Sequence, residues 1–196
     1  MSDRSTTAGE DAIRIAQATF PRVERPAKED FASITRQIGR KPSGEILIAS
    51  RCPLGKPEVI LTLPGISEGG STPPLLWLCC PELCRMVGSL ESEGAIRRYR
   101  DRLERDKALN EGFLSEEEVV AAACSELMRA LGGDTLWRKL GGRGASGGRP
   151  GSVKCLHAHL ALTLATGWGT LGCWCLEEVS DDEWSGCERP RDACVD

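Results

Sequence analysis

Three strand-length apolar runs, each closed by a proline-bearing turn or helix start, most constrain what this chain can become. Glu45 to Ala49, Val59 to Leu63 and Leu75 to Cys79 are rich in leucine, isoleucine and valine and too short for helices. Between the first two lies Arg51-Cys52-Pro53-Leu54-Gly55-Lys56-Pro57, a turn by composition. Pro64 ends the second run, and Pro81 follows the third, where it suits the first turn of a helix because its missing N–H is not needed there. A three-stranded antiparallel sheet is the simplest arrangement.

Helical spacing surrounds these runs. Phe31, Ile34 and Ile38 predict a helix with Asp30 as N-cap and Gly39 as its stop. Leu83, Val87, Leu90 and Ile96 carry an apolar stripe from Pro81, broken near Gly94 and resuming through Arg105. Ser115 and Glu118 form a capping box for a helix reaching Leu131, before Gly132-Gly133. Val153 to Thr166 is apolar on most faces and reads as a buried helix. The expected fold is therefore α+β, a small antiparallel sheet packed against three or four helices. At 196 residues, one domain can bury its own core. Its expected extent is residues 28–172, after a polar, flexible lead over 1–27. An acidic Cys/Trp-containing tail with little fixed structure is expected over 173–196. The glycine-rich stretch Gly141 to Gly151 reads as a mobile loop beside Cys155; without a preceding strand or a terminal Gly-Lys-Ser/Thr it is not a phosphate cradle.

Charge narrows the partners. The net charge of -4 disfavours nucleic acid. The basic residues Arg97, Arg98, Arg100, Arg102 and Arg105 interleave with Glu93, Asp101, Glu104 and Asp106, as on a solvated helix face. No segment has the length of a membrane span, and residues 1–11 lack the apolar core of a signal peptide, so a cytoplasmic location is expected.

In a reducing compartment, ten cysteines point to metal or thiol chemistry rather than to disulfides. Three motifs carry the strongest signal: Arg51-Cys52-Pro53, Cys79-Cys80-Pro81 and Lys154-Cys155-Leu156-His157. Thiolates are soft, charged donors that suit zinc and iron–sulfur clusters, and Cys-Pro recurs at cluster ligands. Cys155 falls at a helix start, where free N–H groups favour a thiolate. The chain's two histidines, His157 and His159, both follow it, and either is placed to join the same site. The leading expectation is a metal site held by Cys52, Cys80 and Cys155, with His157 as fourth ligand or supporting partner; the two Cys-Pro pairs lean it toward a 4Fe–4S cluster with redox or sulfur chemistry, and zinc held by all four would be structural. Two alternatives stand beside it: an interaction module whose thiols are buried core, and a thiol enzyme using Cys155. Cys84 is a further ligand or plain packing, and Cys124 reads as core. Cys173, Cys175, Cys187 and Cys194 offer the makings of a small zinc site, but their irregular spacing and acidic surroundings favour an unstructured tail. Arg51 and Glu91 are placed to meet near the site, with a solvated or ion-paired role favoured for both. Trp77 reads as core.

The motifs resemble a bacterial family catalogued as domain of unknown function 501. The resemblance runs through Gln37-Ile38-Gly39-Arg40, Arg51 to Ile60, Trp77-Leu78-Cys79-Cys80-Pro81, Leu90-Glu91-Ser92-Glu93-Gly94 and Val153-Lys154-Cys155-Leu156-His157-Ala158. It covers about residues 30–172, in order. It implies that Cys52, Cys80, Cys155 and His157 act as one group, and it implies no activity. The chain departs from the family pattern at Leu76, where tyrosine is usual, and at Cys79, where threonine is usual. An Asn-Pro motif is replaced around Trp168-Gly169.

Overall fold

A computed structural model describes residues 3–42, 44–63, 65–67, 70–72, 75–131 and 144–181. Three strands form the antiparallel sheet: β1 (Ile46–Arg51), β2 (Pro57–Thr62) and β5 (Leu75–Leu78), in the order β1-β2-β5. The register pairs Leu47 with Leu61 and Ile60 with Trp77. Between β2 and β5, the short strands β3 (Gly65–Ser67) and β4 (Gly70–Thr72) make a separate hairpin that the sequence did not announce.

Because successive side chains on a strand face opposite ways, the sheet divides the core in two. Ile46, Ile48, Ile60 and Cys79 face α2 (Lys28–Ile38) and pack with its Ile34. Leu47, Ala49, Val59, Leu61, Leu76 and Leu78 face the larger core shared with the other helices. Trp77 is not core: it is 37% exposed, with the Arg40 guanidinium 5.2 Å from its ring centre.

Seven helices are present among the described residues, more than the three or four expected, and the class remains α+β. α1 (Asp3–Thr19) replaces the expected flexible lead. Its Ala12 and Ala16, followed by Phe20 and Val23, are buried against the body of the fold. The small alanines gave that stripe little apolar signal, yet they let α1 approach closely. α2 begins after Ala27, so Asp30 is not the N-cap but sits one turn in, where its carboxylate accepts the Ala27 N–H at 2.8 Å.

α3 (Pro81–Ser92) starts on Pro81 with Cys80 as N-cap, and α4 (Ala95–Arg105) follows Gly94, whose φ of +85° makes the break. α5 (Lys107–Ala130) starts eight residues before Ser115, because the Asp106 side chain caps the Leu109 N–H and buried Phe113 extends the apolar face. The capping box at Ser115 is thus interior to a longer helix. α6 (Leu156–Thr166) is the expected buried helix, and α7 (Thr170–Asp181) stands where the tail was expected to lose structure. Trp174 and Cys175 of α7 are buried, with Trp174 edge-on to Tyr99 and under Arg102. Cys187 and Cys194 lie outside the described residues.

No helix among the described residues is long and apolar enough to cross a membrane.

Candidate functional site

Cys155 is the N-cap of α6, in extended conformation, with the first helical N–H groups ahead of it. A helix start leaves those donors without intrahelical partners. The Leu156 N–H is taken by the Glu91 carboxylate, Oε1, at 2.6 Å. Glu91 comes from α3, one residue before its end, and crosses to the head of α6. His157, two residues after the cap, turns back to the same place: its Nδ1 lies 3.3 Å from Glu91 Oε1. Its Nε2 lies 3.0 Å from the Cys84 carbonyl oxygen. A carbonyl only accepts, so Nε2 carries the proton and Nδ1 is the nitrogen facing Glu91. Glu91, Cys155 and His157 each offer one ligand atom, and these atoms lie within 4.8 Å of one another.

The electrostatics single out Cys155. The neighbouring His157, and then the Ala158 N–H, outweigh burial and hold its thiol below the ordinary range. Contact with Cys155 pushes His157 up to about 9, with the Cys84 carbonyl and Glu91 acting in the same sense. Burial does the reverse elsewhere, lifting Cys79, Cys124 and Cys175 to about 12. Cys84 rises to about 11, through burial first and then through the nearby Cys80 and Cys155 thiols.

The remaining residues named from the sequence fall into place around this group. Cys52 is buried in the β1–β2 turn, where its carbonyl accepts the Gly55 N–H at 2.8 Å. It shares a sheet end with Cys80, since Arg51 pairs with Pro57 and Val59 with Leu78. Neither Cys52 nor Cys80 belongs to the three-residue group within 4.8 Å. Cys79 points to the opposite face, into the α2 cluster. His159 does not share the site: it is 3% exposed, edge-on to Phe113 and 3.9 Å from Glu117 on α5. Arg51 does not meet Glu91; its guanidinium forks onto both carboxylate oxygens of Asp30, at 2.7 and 2.9 Å, and also binds Glu24.

Beside Cys155 and His157 opens a pocket of about 370 Å³. Residues 76–78 of β5 form one wall, residues 145–147 another, and Ala158 closes the head of α6. The glycine-rich loop was expected to be mobile; from Gly144 onward it is instead a folded wall. Gly144 binds Gly148 and Gly147 through its backbone, Ser146 Oγ donates to the Ser152 carbonyl, and the buried Glu117 accepts the Ala145 N–H. A Cβ on Gly144 would lie 1.8 Å from Glu117 Oε2, so only glycine lets the loop close on that carboxyl group.

Sequence reasoning undervalued Glu91. Its signal was the seven-residue spacing from Cys84, two turns on one face of α3, which aims both residues at one neighbour.

The sequence matches the family described as "Protein of unknown function (DUF501)" over residues 48–177, a span that contains every residue of the Glu91, Cys155 and His157 group. No curated protein and no solved structure matches the chain.

Proposed function

The chain belongs to that family of unknown function, and within it we propose that Glu91, Cys155 and His157 form a three-ligand site for one zinc-class ion. The convergence of one carboxylate, one thiol and one imidazole within 4.8 Å carries this reading. In tetrahedral zinc sites, ligand bonds of about 2.0–2.3 Å place neighbouring ligand atoms roughly 3.3–3.8 Å apart. The 3.3 Å between Glu91 Oε1 and His157 Nδ1 falls in that range. A ligating histidine normally donates its other ring N–H to a carbonyl or carboxylate, and the Cys84 carbonyl does this for Nε2. Three protein ligands leave one position for water or substrate, the pattern of catalytic rather than structural zinc, and the adjacent pocket gives that position an approach. Such an ion would supply a Lewis acid and an activated water, so hydrolysis is the reaction class. An iron–sulfur cluster takes three or four thiolates. Support for one is weaker, because it would have to recruit Cys52 and Cys80 from outside the group.

A second reading rests on a separate observation: Cys155 is held low by His157 while its buried neighbours are lifted. Without a metal, each member of that pair favours the charged form of the other more than in the free side chains, which suits nucleophilic attack.

Metal and acid-labile sulfide are to be measured on protein purified without oxygen, for wild type and for Cys52→Ala, Cys80→Ala, Glu91→Ala, Cys155→Ala and His157→Ala. About one zinc per chain is expected in wild type and in Cys52→Ala, with loss on removing Glu91, Cys155 or His157. Stoichiometric metal in Cys155→Ala overturns the site. About four irons with matching sulfide would establish the cluster instead. Metal-free protein with Cys155 alkylated far faster than Cys173 would transfer the function to thiol chemistry.

A further inference from the structure

The sheet has two edges, and they are treated differently. At the β1 edge, Glu24 and Ile48 exchange both backbone hydrogen bonds, at 3.0 and 2.9 Å, which caps that side with the segment after α1. The opposite edge is β5, and among the described residues it pairs only with β2.

The register says which backbone groups that leaves over. Cys79 donates its N–H to the Glu58 carbonyl at 2.7 Å, so residues 79, 77 and 75 address β2. In an antiparallel ladder the alternate residues address the other side. The backbone groups of Leu76 and Leu78 therefore point away from the sheet. The Leu78 carbonyl receives the Cys84 thiol at 3.4 Å. The Leu76 N–H, the Leu76 carbonyl and the Leu78 N–H have no partner among the described residues. This outward edge forms the strand wall of the 370 Å³ pocket, opposite residues 145–147 and next to Cys155 and His157.

We propose that the pocket takes an extended peptide, added as a fourth strand along β5, with its backbone presented to the Glu91, Cys155 and His157 group. The proposal names the substrate class of the site read above and rests on that reading. Two features select a peptide over a purely apolar small molecule. A donor, an acceptor and a second donor lie in a row at strand spacing, and an unpaired backbone group withdrawn from water is costly unless a ligand satisfies it. The four residues of β5 span roughly 13 Å, the reach of a peptide of three or four residues. The lining carries no carboxylate, lysine or arginine, with His157 its one ionisable base. The side chains facing the groove should therefore be small or apolar. The edge itself has no charge, proline or bulge to repel an added strand, unlike a blunted edge.

The test uses acetyl-Ala-Leu-Ala-Leu-amide as probe, titrated against the full chain by calorimetry. Its control is the same peptide N-methylated at alternate residues, which keeps the side chains but cannot complete a ladder. The expected result is saturable binding of the parent peptide and at least about tenfold weaker binding of the methylated one. Equal binding of both would overturn strand addition and make the pocket a site for apolar small molecules; binding of neither would overturn the peptide reading altogether. On the protein side, Leu76→Pro removes one outward N–H together with a buried leucine side chain, so it is compared with Leu76→Ala, which loses the side chain but keeps the N–H. Relative to Leu76→Ala, Leu76→Pro should weaken the parent peptide by a similar factor. Metal content measured on the same samples separates the two ideas: lost peptide binding with retained zinc faults only the substrate class, and absent zinc with retained peptide binding faults only the metal.

Discussion

Glu117 and His159 are both buried, and each keeps one polar atom without a partner among the described residues, Glu117 Oε2 and His159 Nε2. Burial lifts the Glu117 carboxyl group to about 7, with Glu116 adding to the effect and the Ala145 and Gly151 N–H groups opposing it. Burial lowers His159 to about 4. A carboxyl group raised on folding stabilises the native state most below its unfolded value, and that contribution is lost as pH rises through the folded one. Glu117 therefore makes stability fall between about pH 4.5 and pH 7, by up to about 3 kcal/mol. His159 works in the opposite sense, losing stability as pH falls through 6.5 toward 4. Comparing wild type with Glu117→Gln removes the carboxyl titration while His159, 3.9 Å away, titrates in both proteins. The glutamine oxygen still accepts the Ala145 N–H, so the variant should match or exceed wild type at pH 8 and fall behind it at pH 5. Urea midpoints across that range check this, and parallel curves for the two proteins would refute it.

At the scale of elements, two joints hold the site's surroundings. The first is Arg51, which ties α2 to the β1–β2 turn through Asp30 and the Gly55 carbonyl. This pairing holds Asp30 below the usual carboxylate range. Its contribution is therefore present above about pH 4 and lost as pH falls. Arg51→Ala leaves a buried carboxylate without its fork. With Arg51 itself partly exposed, a cost of about 2 kcal/mol is expected in thermal or urea unfolding. Arg51→Lys should recover less than half, because an ammonium cannot make both bonds. The second joint is the loop from Gly144 to Ser152, closed on Glu117. Gly144→Ala forces a methyl group into the carboxyl group, so the Glu117 side chain or the loop must move. Thermal stability should fall, and the pocket wall at residues 145–147 should loosen. Metal content should be retained, since Glu91, Cys155 and His157 hang from α3 and α6. Loss of metal in that variant would show that the loop also positions the ligands.

Across the whole molecule, α1 matters to the site although it contributes none of the three residues. Phe20, just past its end, is 1% exposed and borders a small void shared with Leu61, Leu76, Val120 and Ala145. It thus supports the pocket from behind. Phe20→Ala should cost about 3–5 kcal/mol, as for a buried aromatic, and lower peptide binding with it. A loss below about 1 kcal/mol in urea unfolding would mean that α1 is an accessory rather than part of the core.

The sheet is legible locally, because alternation, turn chemistry and short length act over a few residues: the runs at 45–49, 59–63 and 75–79 became β1, β2 and β5 with small shifts of boundary. The break at Gly94, the buried helix after Cys155 and the start of α3 at Pro81 were legible for the same reason. α1 and α7 were not, since their helical state depends on surfaces supplied by distant segments, such as α5 beneath Ala12 and Ala16, which no local window contains. The site divides the same way. Cys155 at a helix start and His157 two residues on are a local motif. The choice of His157 over His159 depends on which side of α6 meets α3, and Glu91 comes from 65 residues away along the chain. The sequence favours Cys52 and Cys80 as ligands and leaves Cys84 as a further ligand or plain packing. Only packing decided that Cys79 turns into the α2 core and that Cys84 gives the site its carbonyl, because a thiol's role follows from what surrounds it in space.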